Sequence, residues 1–137
     1  MFSHVMLGAN NIEESKEFYD QILAVLGARP GKLSLNHDGH TRYIYFVNNK
    51  NSFIISQPIN NEKASHGNGA TIGFNASSTD MVDEWYEAGK NAGGIDPELC
   101  EPPGMREGGG VQLYLAYLAD PSGNKICAMY RIPRQID

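Results

Sequence analysis

No two lysines or arginines are adjacent in this chain, only two cysteines occur, and no apolar stretch approaches the length of a membrane span. The first shortage, together with a net charge of −5, argues against a nucleic-acid interface, because phosphate binding needs clustered positive charge. It argues equally against a membrane surface, which a basic amphipathic helix would mark. The lack of long apolar runs excludes a spanning helix, which takes about 20 consecutive apolar residues. Cys100 and Cys127 form no C-x-x-C pair, so they are expected as free thiols in a cytoplasmic protein. The N-terminal Met1-Phe-Ser-His4 lacks the basic region and apolar run of a signal peptide.

What the chain does contain is an internal repeat. Residues 4–20 align without a gap on residues 71–87: Val5 meets Ile72, Leu7 meets Phe74, Ala9 meets Ala76, and Phe18-Tyr19-Asp20 meets Trp85-Tyr86-Glu87. Self-similarity at a fixed period means two related supersecondary units sharing one core. The length of 137 residues is that of one domain. We divide it into module 1 (2–58), a polar linker (59–69) and module 2 (70–132). His4 has no histidine opposite it; Thr71 stands there.

Within module 1, alternation predicts a strand over 2–8. Asn11 is placed to cap a helix over 12–26, with Glu14 at the capping-box position and an apolar stripe from Ile12 to Leu26. Three strands follow, at 33–35, 42–47 and 52–57, with Asp38-Gly39 as a hairpin signal and a turn at 48–51. Module 2 repeats the order, with a strand over 70–75 and a helix over 79–92 capped by Ser77 or Ser78 and stopped by Gly93-Gly94. Residues 95–110, with three prolines and the run Gly108-Gly109-Gly110, read as a long flexible loop holding at most one weak strand. Strands over 111–119 and 124–131 flank Asp120-Pro-Ser-Gly123, a type I turn sequence. The fold class is therefore α+β, two tandem βαβββ modules.

His4-Val-Met-Leu, the helix from Ile12 to Tyr19, and Tyr117-Leu-Ala-Asp-Pro-Ser-Gly-Asn-Lys-Ile126 together resemble the vicinal oxygen chelate superfamily, which groups glyoxalase I, bleomycin-resistance proteins and extradiol dioxygenases. The resemblance covers residues 2–131 and is strongest to short bacterial glyoxalase-like proteins. It implies a curved mixed sheet around a concave cavity, with a divalent metal held from the first and last strands of each module. Those positions here are His4, Ile54, Thr71 and Cys127, where the family pattern has His or Gln and Glu. Only His4 is retained, and a catalytic zinc site ordinarily takes three protein ligands. No cofactor is expected, and a divalent metal is poorly supported.

The resemblance implies one of two functions. The first is a lactoylglutathione-lyase-like lyase or isomerase acting on a small oxygenated metabolite, with His4 as its catalytic base. The second is a non-catalytic protein that sequesters a small molecule. Substrate-binding candidates are Arg42, Tyr45, Thr71, Arg106, Tyr117 and Cys127. Tyr45 and Tyr117 are read as repeat-related. Arg42 and Arg106 suit a carboxylate, Arg106 as a residue of a mobile loop, while the acidic net charge suits a cationic ligand. Exposed sheet edges and the resemblance both favour a homodimer. His37 and His40, flanking the Asp38-Gly39 turn, are read as solvated turn residues.

Overall fold

The computed structural model describes residues 1–47, 51–93, 98 and 100–134. Its elements are β1 (His4–Gly8), α1 (Ile12–Val25), β2 (Lys32–Leu35), β3 (Thr41–Phe46), β4 (Ser52–Ser56), β5 (Ile72–Asn75), α2 (Thr79–Ala92), β6 (Glu101–Gly108), β7 (Val111–Ala119) and β8 (Lys125–Arg131). The strands form two separate four-stranded sheets, ordered β1-β4-β3-β2 and β5-β8-β7-β6. In each, the first strand runs parallel to the last strand of its module and the other pairs are antiparallel. The two-module α+β architecture expected from the repeat is present. The expected turn at 48–50 and Gly94 lie outside the described residues.

Both helices start where the sequence offers a cap. Asn11 accepts a hydrogen bond from the Glu14 N–H at 3.1 Å, and Ser78 accepts one from the Met81 N–H at 3.1 Å. Such caps satisfy backbone donors that a helix cannot pair internally. α2 ends at Gly93, whose φ of +80° is one that residues with a Cβ avoid. Each helix covers one face of its own sheet, and the two helices pack against each other.

The core is therefore a middle layer. From α1 it takes Phe18, Tyr19, Ile22 and Leu23, and from α2 Val82 and Trp85. The helix-facing residues of both sheets join them: Tyr45, Phe53 and Ile55 on one side, Ala116, Leu118, Ile126 and Ala128 on the other. Each large side chain fully buried there contributes about 1.5–3 kcal/mol. Phe53 of β4 meets Phe74 of β5 edge to face at 5.1 Å. The opposite face of each sheet looks away from this shared core.

Polar contacts fix how the modules meet. Asp120 is buried in the β7–β8 turn. It accepts hydrogen bonds from the Tyr19 hydroxyl (2.6 Å), the Asn124 side-chain amide (2.8 Å), and the Ser122 and Asn124 backbone N–H groups (2.9 Å each). The Asn124 amide also donates to the Gly8 carbonyl at 2.9 Å. Asn10 donates its N–H to Ser122 Oγ, and its side-chain oxygen accepts the N–H of Ala64 in the linker at 2.7 Å.

Of the segment read as a loop before β7, residues 95–97 and 99 lie outside the described residues, and Glu101–Gly108 forms an eight-residue edge strand. Pro102 and Pro103 fall where the register with β7 shifts between Glu101 and Gly104. An edge strand tolerates a missing N–H and a bulge. Gly109 and Gly110, at φ +60° and +79°, make the two-residue turn of the β6–β7 hairpin, the left-handed pair that a type I′ turn requires.

Candidate functional site on the open sheet faces

Alternation along the strands decides which side chains reach the open faces. In sheet 1, Val5 and Leu7 point to the helices and His4 and Met6 point away. Met6 is 41% exposed. β1–β4 pairing brings Ile54 beside Met6 and Ser52 beside His4, and β3 adds Arg42, Ile44 and Phe46 to the same face. The exposed His4 imidazole bonds through Nδ1 with the Ser3 hydroxyl at 2.9 Å. Arg42 donates Nε–H to the buried Ser56 hydroxyl at 3.1 Å.

Tyr45 does not reach this face. It is 1% exposed on the helix side, where its hydroxyl donates to Asp20 at 2.8 Å and contacts the Lys16 carbonyl at 3.2 Å. Burial first and the Asp20 contact second push its hydroxyl pKa far upward. The register explains the misplacement. Ile54 pairs with Ile44, and its module 2 counterpart Cys127 pairs with Tyr117. Tyr117 therefore matches Ile44, one residue from Tyr45, and a one-residue slip moves a side chain to the other face.

In sheet 2 the open face gathers more chemistry. Tyr117 and Cys127 are direct partners across β7–β8, and Gly73 of β5 is the partner of Cys127 on its other side. A Cβ on Gly73 would lie 3.1 Å from the Cys127 sulfur, so the glycine makes room for the thiol. Lys125 places its ammonium 4.6 Å from the centre of the Tyr117 ring, a cation–π contact. Arg106 is on β6, not in a loop, and pairs with Glu101 at 3.0 Å. Thr71, exposed just before β5, lines a cavity of about 270 Å³ with Lys125 and His66.

Electrostatics make this face one of hydrogen-bond donors. Burial, then the neighbouring Cys127 and Glu101, raise the Tyr117 pKa against the opposing pull of Arg106. Burial raises the Cys127 pKa, with Lys125 opposing. Both groups are protonated at neutral pH. The sulfur is thus a small buried side chain rather than a nucleophilic thiolate.

The structure brings Tyr117, Cys127 and Arg106 onto one face with Thr71 at its rim. It places His4 and Arg42 on the other sheet. Lys125 and Glu101 complete the sheet 2 group and were not expected. The alternation of Lys125 with Ile126 and of Cys127 with Ala128 was the available signal for Lys125. Glu101 had none, because its strand is broken by two prolines.

The four superfamily metal positions hold an exposed imidazole, an isoleucine, a threonine and a buried thiol. No group of three or more His, Cys, Asp or Glu side chains converges among the described residues. This donor set does not fit a divalent metal, which takes at least three protein ligands in catalytic zinc sites and several oxygens when harder.

Paired βαβββ modules with open sheet faces define a class of two-module α+β proteins. The chain belongs to the Glyoxalase/Bleomycin resistance protein/Dioxygenase superfamily, whose family model matches residues 1–128. It is 50% identical to a glyoxalase/bleomycin resistance protein from Albidiferax ferrireducens T118, with a TM-score of 0.84 over 96% of this chain and 99% of that one. The fold is shared with a glyoxylase/bleomycin resistance protein/dioxygenase domain from Frankia sp. EAN1pec at 16% identity, TM-score 0.72, covering 96% and 98% of the two chains. It is also shared with a family enzyme from Burkholderia phytofirmans PsJN at 14% identity, TM-score 0.65, covering 95% and 98%. No curated protein matches the chain. Among the described residues no helix is long and apolar enough to cross a membrane.

Proposed function

We propose that the chain binds and sequesters a small molecule on its open sheet faces, in the manner of the bleomycin-resistance branch of its superfamily. The donor set carries this reading. Of the four metal positions, only His4 offers an accessible side chain that commonly ligates, and Cys127 is protonated and buried. Tyr117 supplies a neutral phenol, while Arg106, Lys125 and Thr71 supply further polar contacts. Such a mix of aromatic surface with a few placed donors suits binding.

A lyase or isomerase is the second reading, favoured by His4 itself. An exposed imidazole tethered by Ser3 on an otherwise apolar strand is a side chain of the kind that serves as a general base. In either case the chain acts as a homodimer that covers Phe46 and Met105, which are 45% and 48% exposed.

Two assays on the purified protein separate the readings. Sequestration predicts saturable thermal stabilisation by a member of a small-molecule panel including bleomycin, growing with ligand concentration as mass action requires. It also predicts no lactoylglutathione from methylglyoxal and glutathione, with or without added zinc or nickel. Turnover that disappears in His4→Ala would overturn sequestration and establish the lyase. Light scattering of the same sample tests the dimer.

A further inference from the structure

We propose that the end of sheet 1 nearest the linker is a binding site for an organic anion, a carboxylate or phosphate on a short apolar body, held by Arg42 and Lys63. The inference is independent of whether the open faces sequester or catalyse. A cavity of about 350 Å³ lies between β1, β3, β4 and the linker, within the size range of small-ligand pockets, roughly 300–1,000 Å³. Arg42, Lys63, Ser56 and Gln57 contribute its polar wall, and Met6 and Ile59 are among its apolar residues.

Three observations converge on an anion. First, the cavity lining holds two cations and no carboxylate, on a molecule whose net charge is −5. Glu62 lines a neighbouring cavity instead, which Lys63 also borders. Second, neither Arg42 nor Lys63 takes part in an ion pair among the described residues. Third, the arginine is oriented in advance. Its Nε–H is donated to Ser56 Oγ, and that buried hydroxyl donates to the Gln57 carbonyl at 2.9 Å. The terminal nitrogens of Arg42 make no hydrogen bond among the described residues, and a guanidinium fork of this kind matches a planar oxyanion bidentately. Lys63 stands on the linker, which Asn10 holds in place through Ala64. The site is thus assembled by module 1 and the linker together.

The test is calorimetric titration of the full chain with three probes that share one apolar body: hexanoate, hexyl phosphate and hexanamide. One-site binding of hexanoate or hexyl phosphate is expected, with the neutral hexanamide at least about tenfold weaker. Arg42→Gln and Lys63→Gln should each weaken the anion about 10- to 100-fold, the loss of a charged hydrogen bond. Lys63 is exposed, so its variant should melt with the wild type and keep the test clear of misfolding. The tighter of the two anions names the head group. Equal binding of hexanamide, unchanged binding by both variants, or no binding by either anion up to about 10 mM would each overturn the site.

Discussion

Removing the Tyr19 hydroxyl should cost this protein far more than one atom suggests. Tyr19 and Asp120 are both buried, and their 2.6 Å hydrogen bond joins α1 of module 1 to the β7–β8 turn of module 2. In Tyr19→Phe the carboxylate keeps its contacts to Ser122 and Asn124 but loses its one donor from the other module. Water cannot readily replace a donor at a buried carboxylate. A hydrogen bond to a charged group is worth about 1.5–3 kcal/mol. For 137 residues, at about 2.1 cal/mol/K per residue, the unfolding entropy is about 0.29 kcal/mol/K. The midpoint should therefore fall by about 5–10 °C. Asp120→Asn keeps the shape but sets an NH2 group either against both the Tyr19 hydroxyl and the Asn124 side-chain amide, which share Oδ2, or against the Ser122 and Asn124 backbone N–H groups, which share Oδ1. Because both variants damage one contact, the double variant should be less destabilised than the sum by about 1 kcal/mol or more. Calorimetry and urea unfolding at neutral pH measure all four proteins. A Tyr19→Phe effect under about 0.5 kcal/mol, or simple additivity, would refute the account of Asp120 as the joint between modules.

Two further predictions concern pH and packing. Tyr19 and Tyr45 have pKa values raised above the ordinary 10, by burial first and then by Asp120 and Asp20. Their stabilisation is complete below that value. Above it the unfolded chain releases protons that the native state keeps, so stability should fall by about 1.4 kcal/mol per pH unit for each tyrosine. Asp20 behaves oppositely. Burial pushes its pKa up, but the Gly31 N–H, Lys16 and the Tyr45 hydroxyl outweigh it and leave the pKa below 3.8. Its contribution is present above 3.8 and lost as the pH falls through the native value, so Asp20→Asn should remove that acid limb. Urea midpoints from acid to alkaline pH check both limbs, and a flat profile at either end would contradict the cause assigned there. In α2, a Cβ on Gly89 would overlap Leu118 Cδ1. Gly89→Ala should lower stability by about 1–3 kcal/mol from overpacking, although alanine is the better helix former by about 1 kcal/mol. A more stable variant would show that the helix–strand contact relaxes at no cost.

The helices and most strands were legible because caps and apolar periodicity act locally. Asn11 and Ser78 bond donors three residues ahead, and α1 and α2 begin within a residue of where those caps put them. β6 was hidden because its evidence is not local. Pro102 and Pro103 forbid a central strand, and only the edge position beside β7 admits them. The run of three glycines looked like flexibility, but Gly108 ends the strand and Gly109-Gly110 supply a tight turn between paired strands. The candidate site was legible in part for the same reason. His4, Cys127 and Tyr117 alternate with core residues, which places them on an open face. Tyr45 obeys the same rule but stands one position off in register, which only the strand pairing shows. Lys63 carries no periodic signal, since its position follows from how the linker folds back on β1.

Because the helices form the middle layer, stability and recognition occupy different sides of the same strands. Tyr45, Phe53, Leu118 and Ile126 answer to the core; Ile44, Ile54, Tyr117 and Cys127, their immediate neighbours, answer to whatever meets the open face. A substitution at an odd or an even position along one strand therefore has different consequences. The donor set of such a face can be rewritten, as Ile54 and Thr71 illustrate, while the shared interior stays intact. The fold is in this sense a chassis with two separately editable surfaces, each free to acquire or lose a chemistry without renegotiating the other.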